Sequence, residues 1–106
     1  MTKIRMSKLK LADGGDNIWR AWCQELEHRR DEAVATLIKE SVKIEACFTD
    51  GEYIYILMVA ESFDQADSSV KEDPHPIDLD HRENMMKSIV RPDHNPNLEL
   101  LFFLEA

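Results

Sequence analysis

The sequence predicts an α+β domain of βαββαβ order, in which a four-stranded antiparallel sheet carries both helical crossovers on one face. Three observations predict it. Short runs in the chain alternate apolar and polar residues with a period of two, two longer stretches recur at helical spacing between them, and Asp50-Gly51 separates two of the alternating runs as a hairpin turn does. At 106 residues the whole chain, residues 1–106, fits one domain.

The first strand reads from Lys3 to Leu11, where Ile4 and Met6 change parity to Leu9 and Leu11, the signature of one residue bulged near Ser7-Lys8. Asp13-Gly14-Gly15-Asp16 breaks that pattern and offers Asp16 as the cap of a helix from Asn17 to Lys39. At about 100° per residue Trp19, Trp22, Cys23, Leu26, Ala33 and Leu37 fall within roughly 60° of one direction, the expected buried stripe, with Arg30 about 20° from its centre and His28 on the far side.

Ser41–Thr49 and Glu52–Glu61 are the hairpin strands. Turning on Asp50-Gly51 sets Phe48 against Tyr53, Ala46 against Tyr55, Ile44 against Leu57 and Val42 against Val59. That wholly apolar face is expected under the helices. The other face, with Glu45, Lys43 and Cys47 opposite Ile54, Ile56 and Met58, is expected to need a different cover. Ser62 to Gln65 has capping-box spacing, and Phe63, Ala66 and Val70 start a short helix that Asp73-Pro74-His75-Pro76 interrupts. Helical spacing resumes through Ile77, His81, Met85 and Ile89 until Arg91-Pro92, and Leu98–Leu104 closes the order as a fourth strand.

Right-handed crossovers put both helices on one side of such a sheet, the ferredoxin-like plan, and leave the other side bare. With Ile54, Ile56, Met58, Leu101 and Phe103 expected there, burial against a second copy is the cheapest remedy, so the sequence predicts a homodimer through the sheet face.

A formal net charge of −8 with no lysine or arginine stripe opposes binding to nucleic acid and to anionic membrane surfaces. Tyr53–Ala60, the most apolar run, is long enough for a strand and far short of a membrane span. The first eight residues lack the continuous apolar core of an export signal, and two cysteines at no paired spacing read as reduced thiols, so a cytoplasmic location is expected.

The candidate chemistry gathers on the helices. Arg30, a charged fork of donors, and His81, a proton exchanger near neutral pH, could converge on a cleft between helices and sheet suited to a small anionic or carbonyl-bearing molecule, with His81 as acid or base. His75, Asp78, Asp80 and His81 crowd into seven residues of a spacing that matches no metal motif; His75 and Asp78 are ligand-binding candidates, while Asp78 or Asp80 also suits a helix start. No metal and no cofactor is expected, haem being conceivable only through His81. Cys47, near Glu45 and Lys43, could carry a reactive thiolate but reads first as a packing or surface thiol. Cys23, Trp19 and Trp22 read as core, and His94 as a solvated loop residue.

Leu26-Glu27-His28-Arg29-Arg30-Asp31-Glu32-Ala33, His75-Pro76-Ile77-Asp78 through His81-Arg82-Glu83, and Leu98-Glu99-Leu100-Leu101 give the whole chain a further character. Through them it resembles an uncharacterised bacterial domain-of-unknown-function family of the dimeric α+β barrel superfamily. More distantly, its layout is similar to that of sugar mutarotases, antibiotic-biosynthesis monooxygenases and haem-degrading enzymes. That likeness implies fold order alone and carries no catalytic residue across. Two functions are then expected: a small dimeric ligand-binding domain without catalysis, or a cofactor-free isomerase-like or monooxygenase-like enzyme.

Overall fold

The computed structural model describes residues 2–72, 74–93 and 99–106, and for residues 69–72 the backbone alone. Its elements in chain order are β1 (Lys3–Leu11), α1 (Gly15–His28), α2 (Arg30–Lys39), β2 (Val42–Thr49), β3 (Tyr53–Ala60), α3 (Asp64–Glu72), α4 (Pro76–Ser88) and β4 (Ile89–Pro92). The four strands form one open antiparallel sheet in the order β2-β3-β1-β4.

β1 pairs with β3 without interruption from Lys3↔Ala60 to Lys10↔Tyr53, so the parity change in its sequence is not a bulge at Ser7-Lys8. Ile4 and Met6 face one side of the sheet near one end of the strand, and Leu9 and Leu11 face the other side near its far end. The irregularity lies between Lys10 and Leu11, in the pairing with β4. In the hairpin, Phe48 pairs with Tyr55 and Ala46 with Leu57, two residues away from the expected register. Asp50 is the cause. Its carboxylate accepts the amides of Glu52 (2.9 Å) and Tyr53 (2.8 Å), which moves the reversal onto Gly51, at φ 91°, and Glu52.

That shift of two keeps the residues from Ile44 to Thr49 on their face, an irregularity between Val42 and Ile44 carries Val42 over to the side of Ala60, and the faces are exchanged relative to the expectation. Ile54 and Ala60 are fully buried and Ile56 nearly so, packed with Leu9, Leu11, Trp19, Trp22, Val42 and Ile77 under the helices. The face expected to be buried carries exposed Met6, Ile44 and Phe48, and neither core cluster draws on it. Its aromatics are amphipathic. Tyr55 donates its hydroxyl to Asp50 (2.9 Å), and the Lys8 and Lys10 ammonium groups stand 4.2 and 4.7 Å from the Tyr53 ring centroid, arrangements that keep polar tips in water.

Two helical readings also change. The helix begins after Gly14, at φ 75°, with Asp16 already inside its first turn and ion-paired to Arg20 (2.9 Å). It breaks at Arg29, where φ −104° and ψ 36° leave the helical region while the flanking bonds to Glu25 and Ala33 persist. A wheel drawn through residue 39 therefore misplaces the residues beyond the break. The broken second crossover is present as α3 and α4, α3 starting at Asp64 under the Ser62 hydroxyl (3.2 Å).

The fourth strand is not Leu98–Leu104. Ile89-Val90-Arg91-Pro92, read as the end of a helix, leaves α4 directly and pairs with Leu9–Leu11. β-branched Ile89 and Val90 favour an extended backbone, and Pro92 cannot donate, which suits an edge. Residues 99–106 are irregular, with Leu101 and Leu104 almost fully exposed; Leu98 and His94 lie outside the described residues.

Candidate functional site

α1, α2 and α4 lie over the β2–β3 side of the sheet and leave a cleft of about 570 Å³. Cys23, Leu26 and Ala33 from the helices and Met58 from β3 form its apolar walls, and Glu40, Glu45, Asp78 and His81 bring polar atoms to it. Arg30 and Glu27 stand at its exposed rim, joined by a 3.0 Å ion pair. The sequence places Arg30 near the middle of the apolar stripe; the kink at Arg29 instead turns it out to the cleft mouth.

His81 is held firmly. Its Nδ1 accepts the Trp22 indole N–H at 2.8 Å, and its ring lies 5.6 and 5.8 Å from those of Trp19 and Trp22. An accepting Nδ1 places the ring proton on Nε2, leaving that N–H as the nitrogen able to meet a ligand. Burial pushes the His81 pKa down against a smaller upward pull from Asp78, so the ring is neutral at neutral pH.

Asp78 has two tasks. Its carboxylate accepts the His75 amide at 2.8 Å, closing the start of α4 behind Pro76, and it lines the cleft. His75 takes the N-cap position and is not part of the cleft lining. Of the four candidates, Arg30, Asp78 and His81 therefore share one cavity. Among the described residues, no group of three or more His, Cys, Asp and Glu is arranged to hold a metal ion.

Sequence reasoning missed Glu40, Glu45 and Arg29. Burial, then the charges of Glu45 and Asp78, raises Glu40 to about 7, and burial raises Glu45. Arg29, the residue of the kink, bridges to Asp80 on α4 (2.8 Å) and to Glu32 (2.9 Å), tying the helices that roof the cleft. No spacing rule links these residues; alternation along β2 places Glu45 on the face of Cys47, and only the exchange of faces turns both toward the helices.

Glu40 implies a pH dependence. A carboxyl that holds its proton more tightly when folded stabilises the fold below the ordinary value of 4.5, and that contribution is lost as pH rises to about 7. His81, depressed on folding, acts in the opposite sense, losing stability as pH falls through its ordinary value of 6.5. Glu45, also raised, acts in the same sense as Glu40, so Glu40→Gln is expected to make the falling limb shallower and to leave the His81 limb in place. Urea midpoints of both proteins between pH 4.5 and 7 check this, and parallel profiles would contradict it.

No helix among the described residues is long and apolar enough to cross a membrane. No curated protein and no solved structure matches the chain. One family does match, over residues 2–106, and the chain belongs to it: DUF6176, a family of unknown function.

Proposed function

We propose that the protein is a small dimeric domain that binds a small amine-bearing molecule, with an apolar body, in the cleft beneath α1 and α2. The observation carrying this reading is the charge of the cavity. Glu27, Glu40, Glu45 and Asp78 line it against one guanidinium, Arg30, that Glu27 already engages. An anion would meet repulsion from most of that lining, whereas an ammonium group would find acceptors, with Leu26, Ala33 and Met58 covering its carbon skeleton. Arg30 then serves the rim, and His81 offers Nε2–H to an acceptor atom of the ligand.

Thermal-shift titrations with phenethylamine and putrescine, set against succinate, test the reading. The amines should raise the melting temperature of the wild type and not that of Glu45→Gln. Equal or better stabilisation by succinate would overturn it. A cofactor-free isomerase-like or monooxygenase-like enzyme acting on a carbonyl-bearing molecule is the second reading. It is favoured by Glu40, at about 7 a suitable general base, sharing the cleft with a neutral His81.

The antiparallel order, read from its other edge as β4-β1-β3-β2, supports placing the domain in the ferredoxin-like plan of the dimeric α+β barrels. The sheet face carrying Met6, Ile44 and Phe48 supports a homodimer, although by residues other than those the sequence suggests. A cytoplasmic location belongs to the same reading and is supported by two free thiols. Sedimentation velocity should give a dimer for the wild type and a folded monomer for Met6→Lys/Ile44→Lys; a wild-type monomer at high concentration defeats this part.

A further inference from the structure

Cys23 and Cys47 are distant in sequence and adjacent in the fold. Cys23 follows Trp19 by one helical turn on the inner face of α1, and Cys47 pairs with Ile56 on the face of β2 that looks at that helix. The Trp19 indole N–H donates to the Cys47 sulfur at 3.3 Å, and Cys23, one turn on from Trp19, lines the same two cavities as Cys47. A donor aimed at that sulfur favours its thiolate over its thiol. Cys47 is also exposed. The pair forms a wall between the main cleft and a second cavity of about 300 Å³, which Arg20, Gln24 and Thr49 help to line, so the sulfurs can be reached from either side.

We propose that Cys47 and Cys23 are a thiol–disulfide exchange pair, in which Cys47 attacks a low-molecular-weight disulfide and Cys23 resolves the product. The Cys47 thiolate attacks one sulfur of the disulfide R–S–S–R, forming Cys47–S–S–R and expelling R–S⁻, which takes up the proton that Cys47 released. The Cys23 sulfur then attacks the Cys47 sulfur and breaks its bond to the sulfur that carries R. The second R–S⁻ leaves with the Cys23 proton. One small disulfide is reduced to two thiols, and the protein dithiol is oxidised to an internal disulfide joining α1 to β2.

The acidities of the two groups agree with this division. Its interaction with Cys23 is the largest influence on Cys47, and together with the hydrogen bond from Trp19 it brings the thiol down to about 7 against burial and the Glu45 charge. The same interaction with Cys47 and burial push Cys23 up, so it keeps its proton until the second step. The proposal does not rest on an amine occupying the cleft.

Glutathione disulfide is the probe, added to the native full chain under nitrogen, with acid quenching and mass spectrometry of intact protein and peptides. The wild type should lose two hydrogens and yield a Cys23–Cys47 cross-linked peptide. Cys23→Ser should stop at one glutathionyl group on Cys47, and Cys47→Ser should react at least tenfold more slowly. Far-UV dichroism confirms that the variants are folded, and peptide mapping of the wild type gives the answer without them. A persistent mixed disulfide in the wild type, or equal reactivity of the two cysteines, overturns the proposal.

Discussion

Trp22→Ala is expected to lower the unfolding free energy by about 3–5 kcal/mol, a large share of the roughly 5–15 kcal/mol that holds a domain of this size together. Trp22 is almost fully buried in the main core cluster with Leu9, Ile54 and Ile77. Truncation opens a cavity between α1 and the sheet, and it also removes the N–H bonded to His81 Nδ1, leaving a buried acceptor without its donor. Trp22→Phe separates the two effects, because it keeps most of the volume and should cost about 1–3 kcal/mol from the unpaired ring nitrogen. Urea unfolding followed by far-UV dichroism measures both. A Trp22→Ala loss under about 1 kcal/mol would mean that α1 does not rest on the sheet as described.

Gly15→Ala should rank next, at about 3 kcal/mol, for a reason that has nothing to do with helix propensity, where alanine is the better residue. A Cβ on Gly15 would run into the Ser88 carbonyl oxygen, with the Ser88 carbonyl carbon close behind at 3.0 Å. Both obstacles are backbone. The Ser88 oxygen also accepts the Ala12 amide at 2.8 Å, so α4 cannot back away without breaking that bond. The start of α1 and the end of α4 thus meet at a point where only a hydrogen fits. Ser88→Ala is the useful contrast. The Ser88 hydroxyl is buried with no hydrogen-bond partner among the described residues, so removing it should leave stability unchanged or slightly raised. Calorimetric melting of the two variants checks the pair; a Gly15→Ala protein as stable as the wild type contradicts the contact.

The strands β1, β2 and β3, the hairpin between them and the interrupted second crossover were legible because they depend on local signals: period-two alternation, Asp50-Gly51 and the prolines near residue 75. The choice of buried face was not. Counting apolar residues favoured the side of Phe48 and Tyr55, but the decision lies in long-range pairing, which sets Leu9 beside Ile54 and offers α1 a surface for Trp19 and Trp22. Nor does periodicity distinguish the end of α4 from the start of β4, since Ile89 fits both patterns. At the site, His81 and Asp78 were readable from their spacing on one helix. Arg30 reached the cleft by a different route from the one expected, and the Cys23–Cys47 pairing and Glu45 depended on the face that the sequence misassigned.

The core is divided into two clusters, the larger around Trp19, Trp22 and Ile54 and the smaller holding Val42, Ala60, Phe63 and Ala66 beneath α3, with Met58 packed against both. Unequal clusters imply unequal opening energies, and backbone amides of α3 should exchange with deuterated solvent sooner than those of α1. Met58 also borders the cleft, so an occupant there presses on a flexible thioether that both clusters share. Slower exchange in a helix that does not touch the occupant would report its arrival.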